Sequence, residues 1–147
     1  MSQNRDARMI LKKTLVPELE SEGFQGKFPE FRRIEGGELQ LLSIVFDKNG
    51  GGFFLEFSKC SPGDMETSWG EVIPERELTV AHTPVESRAR LQQKGDRNSL
   101  SEDWFRYEKL SENELDRLVL HVVDLLPQIS DWLREKRVGQ NISTNAP

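Results

Sequence analysis

Apolar residues recur at helical spacing at Ala7, Ile10, Leu11, Leu15 and Leu19, which predicts an N-terminal helix with that stripe turned toward a core. Pro17 removes a backbone donor, so the helix kinks or restarts there. Basic residues precede Pro17, while Glu18, Glu20 and Glu22 follow it. One unbroken helix would set both signs against its dipole, and Gly23 provides a stop. The period then changes to two. Phe28 to Ile34 reads as an extended segment with an irregular start at Pro29, and Gly36-Gly37 as a hairpin turn. Glu38 to Lys48 is the strongest strand. Its phase shift, from Leu39 and Leu41 to Leu42, Ile44 and Phe46, calls for a bulge near Leu41 or burial of both faces. After the Asn49-Gly50-Gly51-Gly52 turn, Phe53, Leu55 and Phe57 alternate in a third strand. Glu77 to His82 alternates through Leu78 and Val80 and predicts a fourth.

Two helix starts follow. Thr83-Pro84-Val85-Glu86 has the pattern of a capping box with proline at the first helical position, and predicts a short helix through Gln93 stopped by Gly95. Ser111-Glu112-Asn113-Glu114 opens the most periodic element, whose stripe runs from Leu115 to Leu133 with a kink at Pro127. Between them Trp104, Phe105 and Tyr107 form a short extended or turn segment. Lys59 to Glu75 is either a working loop or the cover of a short strand near Glu71 to Ile73. The fold class this order predicts is α+β: an antiparallel three- to five-stranded meander sheet covered on one face by the N- and C-terminal helices, with a short additional helix. Residues 1–138 form the single domain, and 139–147 a disordered polar tail. The second sheet face, with Phe54 and Leu39, is expected to form a groove or an interface.

Composition supports a folded chain. Leu, Ile, Val and Phe supply 40 of 147 residues, or 27%, above the about 20% below which disorder is expected. With 20 basic and 25 acidic residues the net charge is −5, which argues against a phosphate-tracking surface and hence against nucleic acid. No apolar run exceeds three residues, against the about 20 of a spanning helix and the about 7–15 of a signal peptide core. No membrane association and a cytoplasmic location are therefore expected. The single cysteine, Cys60, excludes an intrachain disulfide and a paired-cysteine zinc site.

Chemistry is sparse. Cys60 is a weak candidate nucleophile, with His82 the nearest histidine, but the spacing shows neither base nor oxyanion donors. His82 and Glu86 lie four apart, and only Cys60, Asp64 and His121 could complete a metal site, so no metal and no cofactor are expected. The many acids read as solvated surface groups. The glycine runs lie between strands and not ahead of a helix, as turn residues do. Arg88 and Arg90, with Lys94 and Arg97, form a compact basic group that Arg32 and Arg33 could join to take a small anionic ligand. The plainer reading is a solvated helix face. Trp69 and Met65 in the long loop, with Phe54 on the sheet, are the best candidates for recognising a protein.

The order Leu11-Lys12-Lys13 through Leu15, Pro17, Leu19 to Gly23-Phe24, Phe31-Arg32-Arg33, paired strands at Leu41–Phe46 and Gly52–Phe57, Arg88-Ala89-Arg90-Leu91, Asp103-Trp104-Phe105 and Leu126-Pro127 resembles the bacterial domain of unknown function 4304 family. The resemblance spans roughly residues 7 to 135 and rests on order and spacing. It implies a compact α+β domain with no established activity, and it supplies no catalytic residues. The expected function is a non-catalytic cytosolic protein-interaction module, of which an immunity-like role is one version. The alternatives are a small hydrolase or transferase using Cys60 and His82, and an anionic-ligand binder at Arg88 and Arg90.

Overall fold

The alternation of Phe53, Leu55 and Phe57 places β4 (Gly52–Cys60) in the middle of an antiparallel sheet in the computed structural model, which describes residues 3–145. The strands β1 (Gln25–Lys27), β2 (Glu30–Glu35) and β3 (Glu38–Phe46) meander up to it. Gly36-Gly37, both at positive φ, turns β2 into β3 as the hairpin reading requires. A two-stranded hairpin, β5 (Met65–Glu66) and β6 (Val72–Ile73), stands apart from the sheet. On the far edge of β4, β7 (Ala89–Leu91) pairs with Leu55 to Phe57, and β8 (Phe105–Arg106) with Gly52 and Phe53. β9 (Ile142–Thr144) then pairs with β7.

One face carries the helices. α1 (Gln3–Ile10) runs through a π turn at Leu11–Leu15 into α2 (Val16–Ser21), so Pro17, with no N–H to give, falls in the first turn of α2. α3 (Glu112–Leu125) starts at Ser111, whose hydroxyl accepts from Glu114 N–H while the Glu114 carboxylate accepts from Ser111 N–H. Pro127 opens α4 (Pro127–Glu135), and the stripe continues across the break through buried Leu126, Ile129 and Trp132. This layer packs on Leu42, Ile44, Phe53, Leu55 and Phe57; Trp132 meets Phe57 edge-on with centroids 5.5 Å apart. Burying each such side chain contributes about 1.5–3 kcal/mol.

The phase shift in β3 is resolved by burial on both faces. Leu39 and Leu41 pack with Leu78 and Val80 in a second, smaller cluster under the 61–104 excursion. The second face is therefore covered, and is not an open groove. Three other expectations change. Thr83 to Gln93 is no helix: one tight turn at Val85–Ser87 leads directly into β7, because Ala89 and Leu91 alternate inward and pair with the free edge of β4. Glu77 to His82 is no strand. Tight turns at Glu75–Glu77 and Val80–His82 point Leu78 and Val80 inward instead. The tail after residue 138 is not a disordered segment: it carries β9, with Ile142, Ser143 and Thr144 buried. Gly95, expected to stop a helix, lies against that strand. A Cβ there would come within 2.5 Å of the Ile142 carbonyl oxygen.

Candidate functional site

Strand register lines up a polar row on the covered face. Glu30 pairs with Ser43, Ser43 with Glu56, Glu56 with Arg90, and Arg90 with Ser143. Arg90 Nε donates to Glu56 Oε2 at 2.7 Å, and Arg88 Nη1 lies 3.8 Å from Glu56 Oε1. Arg90 also donates to the Ser101 carbonyl at 3.0 Å, and Ser143 Oγ to Gln92 Oε1 at 2.6 Å. Ser43 Oγ donates to the Glu30 carboxylate. Burial pushes the Glu30 carboxyl up from its ordinary value and the Glu56 charge adds to this, while the Ser43 hydroxyl and His82 pull it back. Glu56 is thus buried and Glu30 half-buried, contrary to the expectation of solvated carboxylates. Among the described residues, every buried side-chain nitrogen and oxygen has a hydrogen-bond partner. The buried polar atoms of the row are satisfied within the protein.

The predicted arginine site is spent in the same way. Arg88 donates to the Thr83 and Ala81 carbonyls in addition to facing Glu56. Arg32 donates to the Glu75 and Leu78 carbonyls, each at 2.6 Å. Arg33 lies on the helix face, donating to Gln40, Ser130 and the Glu22 carbonyl. These bonds tie the arginines to their own fold through carbonyls and a carboxylate. Lys94 and Arg97 are exposed and stand outside this group.

Cys60 and His82 are not joined by a hydrogen bond among the described residues. Cys60 packs beside the Leu39 and Leu41 cluster, where burial and then Glu75 push its thiol up, against a smaller pull from Arg32. A catalytic thiol needs the opposite shift. His82 Nδ1 instead accepts from Thr79 N–H at 3.0 Å and closes a turn. Among the described residues no group of three or more His, Cys, Asp or Glu side chains could hold a metal. His121 is exposed on α3. Phe54 is 2% exposed, stacked on Trp104 with centroids 4.4 Å apart and capped by the Arg90 guanidinium at 4.6 Å. It is a core residue and offers no surface.

Trp69 is the predicted residue that remains available. It is 75% exposed at the turn between β5 and β6. Met65 and Ile73 face inward and pack on the Leu39 and Leu41 cluster, while Val72, on the alternate face, is exposed. The hairpin is braced at its tip by Thr67, which exchanges hydrogen bonds with Glu71, and at its base by Asp64 accepting from Glu75 N–H. Arg32 clamps the outgoing chain. Trp69 Nε1 donates to the Glu71 carboxylate at 3.0 Å, fixing the ring. Residues 61–77 contain five acids and one base, a net charge of −4 within a chain of −5.

The sequence reading missed Glu30 and Glu56. A glutamate between Leu55 and Phe57, in a strand with Phe53 and Phe54 on opposite faces, was the available signal for a buried cross-strand partner. No helix among the described residues is long and apolar enough to cross a membrane. No family model, curated protein or solved structure matches the chain.

Proposed function

We propose that the protein is a non-catalytic, cytosolic interaction module that engages a basic protein surface through the Trp69 hairpin. The observation that carries this reading is the 75% exposure of Trp69 on a braced two-stranded projection. An exposed indole costs solvation unless something covers it, and tryptophan is the residue type most enriched at binding hot spots. Bracing lowers the ordering entropy that association would otherwise demand. The surrounding negative charge would accelerate encounter with a positive partner. The likeness to the domain of unknown function 4304 family belongs to the same proposal and adds no residue to it.

The test is affinity capture with the intact chain, comparing wild type with Trp69→Ala and with Glu66→Lys, all three matched for unfolding midpoint. A partner lost with Trp69→Ala, weakened by Glu66→Lys and weakened by salt supports the reading. A partner retained unchanged by both variants rejects it.

A further inference from the structure

A second concave surface lies away from the hairpin, between α1 and the start of α3. It is a cleft of about 670 Å³, inside the range of about 300–1,000 Å³ typical of small-ligand sites. Its floor is apolar: Ile10, Leu110 and Leu115, with the buried ring of Tyr107. The Tyr107 hydroxyl is already committed to Asn4 Oδ1 at 2.5 Å. Met9, 57% exposed, forms a pliable wall.

The rim is charged unequally. Asp6 comes from α1, and Glu112 and Asp116 from the first turns of α3. Among the described residues none of the three has an ion-pair partner. Lys12, with its ammonium 5.1 Å from the centre of the Phe28 ring, and Lys13 also line the cleft, so three carboxylates face two ammonium groups. At the N-terminus of α3 the Ser111 hydroxyl accepts from Glu114 N–H and the Glu114 carboxylate from Ser111 N–H. An apolar floor edged by three carboxylates from two helices, against two lysines, suits a positive head on a greasy body.

We propose that this cleft binds a small organic cation with an apolar chain, of the alkylammonium class. The carboxylates hold the head at the rim while the chain displaces water from Ile10, Leu110 and Leu115. This site is independent of the Trp69 hairpin.

The test titrates the full chain with decyltrimethylammonium below its micellar concentration, and with decanoate as the anion of matched length, by calorimetry and amide chemical shifts. The expected result is saturable one-to-one binding of the ammonium, at least about tenfold tighter than decanoate, with shifts confined to residues lining the cleft. Asp6→Lys with Asp116→Lys reverses the preference. Glu112→Lys, at an exposed position, reduces it and serves as the readout if the double variant fails to fold. Trp69→Ala leaves ammonium binding unchanged. Equal or tighter binding of decanoate, shifts scattered over the surface, preference for a basic peptide over the alkylammonium, or an affinity indifferent to charge reversal would overturn the proposal.

Discussion

Glu56 on β4 and Arg90 on β7 stand directly opposite each other in the strand register, with Arg90 Nε 2.7 Å from Glu56 Oε2 and both side chains largely buried. A pair of this kind contributes little over an apolar substitute, because desolvation offsets attraction, but breaking it strands a buried charge. Glu56→Leu alone should therefore lose about 3–5 kcal/mol. Glu56→Leu with Arg90→Met should recover most of that, because neither charge then remains. Urea unfolding midpoints decide the matter. A single replacement costing under about 1 kcal/mol would mean that Arg88 and Arg90 are satisfied by their carbonyl partners alone.

Glu30 gives a pH-dependent prediction of the unusual sign for a carboxylate. Its folded value is raised above the ordinary 4.5, chiefly by burial. The native state then binds more protons than the unfolded state just above that value, so this group's contribution falls as pH rises through the folded value. Glu30→Gln keeps an oxygen to accept from Ser43 and removes the buried charge. It should melt higher than wild type at neutral pH, with the gap closing toward about pH 4. A glutamine variant that melts lower at neutral pH would show that Ser43 and His82 outweigh burial.

The elements legible in the sequence were those whose period and punctuation agree. The Ser111 capping box with its stripe to Leu133, and the glycine turns flanking Glu38 to Phe46, appear as read. Thr83 to Gln93 failed because its capping pattern marks a turn as well as a helix. Ala89-Arg90-Leu91 is too short for its alternation to outweigh that pattern, and the unpaired edge of β4, more than 30 residues earlier in the chain, decides the outcome. The same non-locality hid the polar row, since Glu56 finds its partner only once β7 is in place. Trp69 was visible as a tryptophan among polar residues. Its exposure was not, because the packing of Met65 and Ile73 beneath the hairpin sets it.

The terminal strand supplies a third prediction. Ile142 is fully buried, and Thr144 N–H donates to the Asp96 carbonyl at 2.9 Å. Ile142→Ala should cost about 2–5 kcal/mol, as other buried large-to-small changes do. Removing residues 139–147 would expose the edge of β7 together with Leu91, and should cost more. Gly95→Ala should also destabilise, by forcing its Cβ against the Ile142 and Gln140 carbonyls. Amide exchange at β7 reads all three. A truncated chain with unchanged β7 protection would mean that β9 adds nothing to the sheet.

The surface fork between Arg134 on α4 and Glu35 at the end of β2 ties the last helix to the sheet, with Nε and Nη2 at 2.7 and 2.8 Å from the two carboxylate oxygens. The Arg134 hydrogen bonds hold the Glu35 carboxyl at about 2, well below its ordinary 4.5. A lowered value means the contribution is fully present above the ordinary value and is lost as pH falls toward about 2. Both side chains are roughly a third to a half exposed, so solvent screening limits the effect to about 0.5–1 kcal/mol despite the size of the shift. Glu35→Gln should lose that amount at neutral pH, and the gap to wild type should vanish on acidification through this window. Molar salt should shrink it as well, since an exposed surface ion pair is weakened by screening ions. Unfolding midpoints of the two proteins that stay a constant distance apart from neutral to strongly acid pH would assign the loss to neutral contacts of the residue 35 side chain and not to the ion pair.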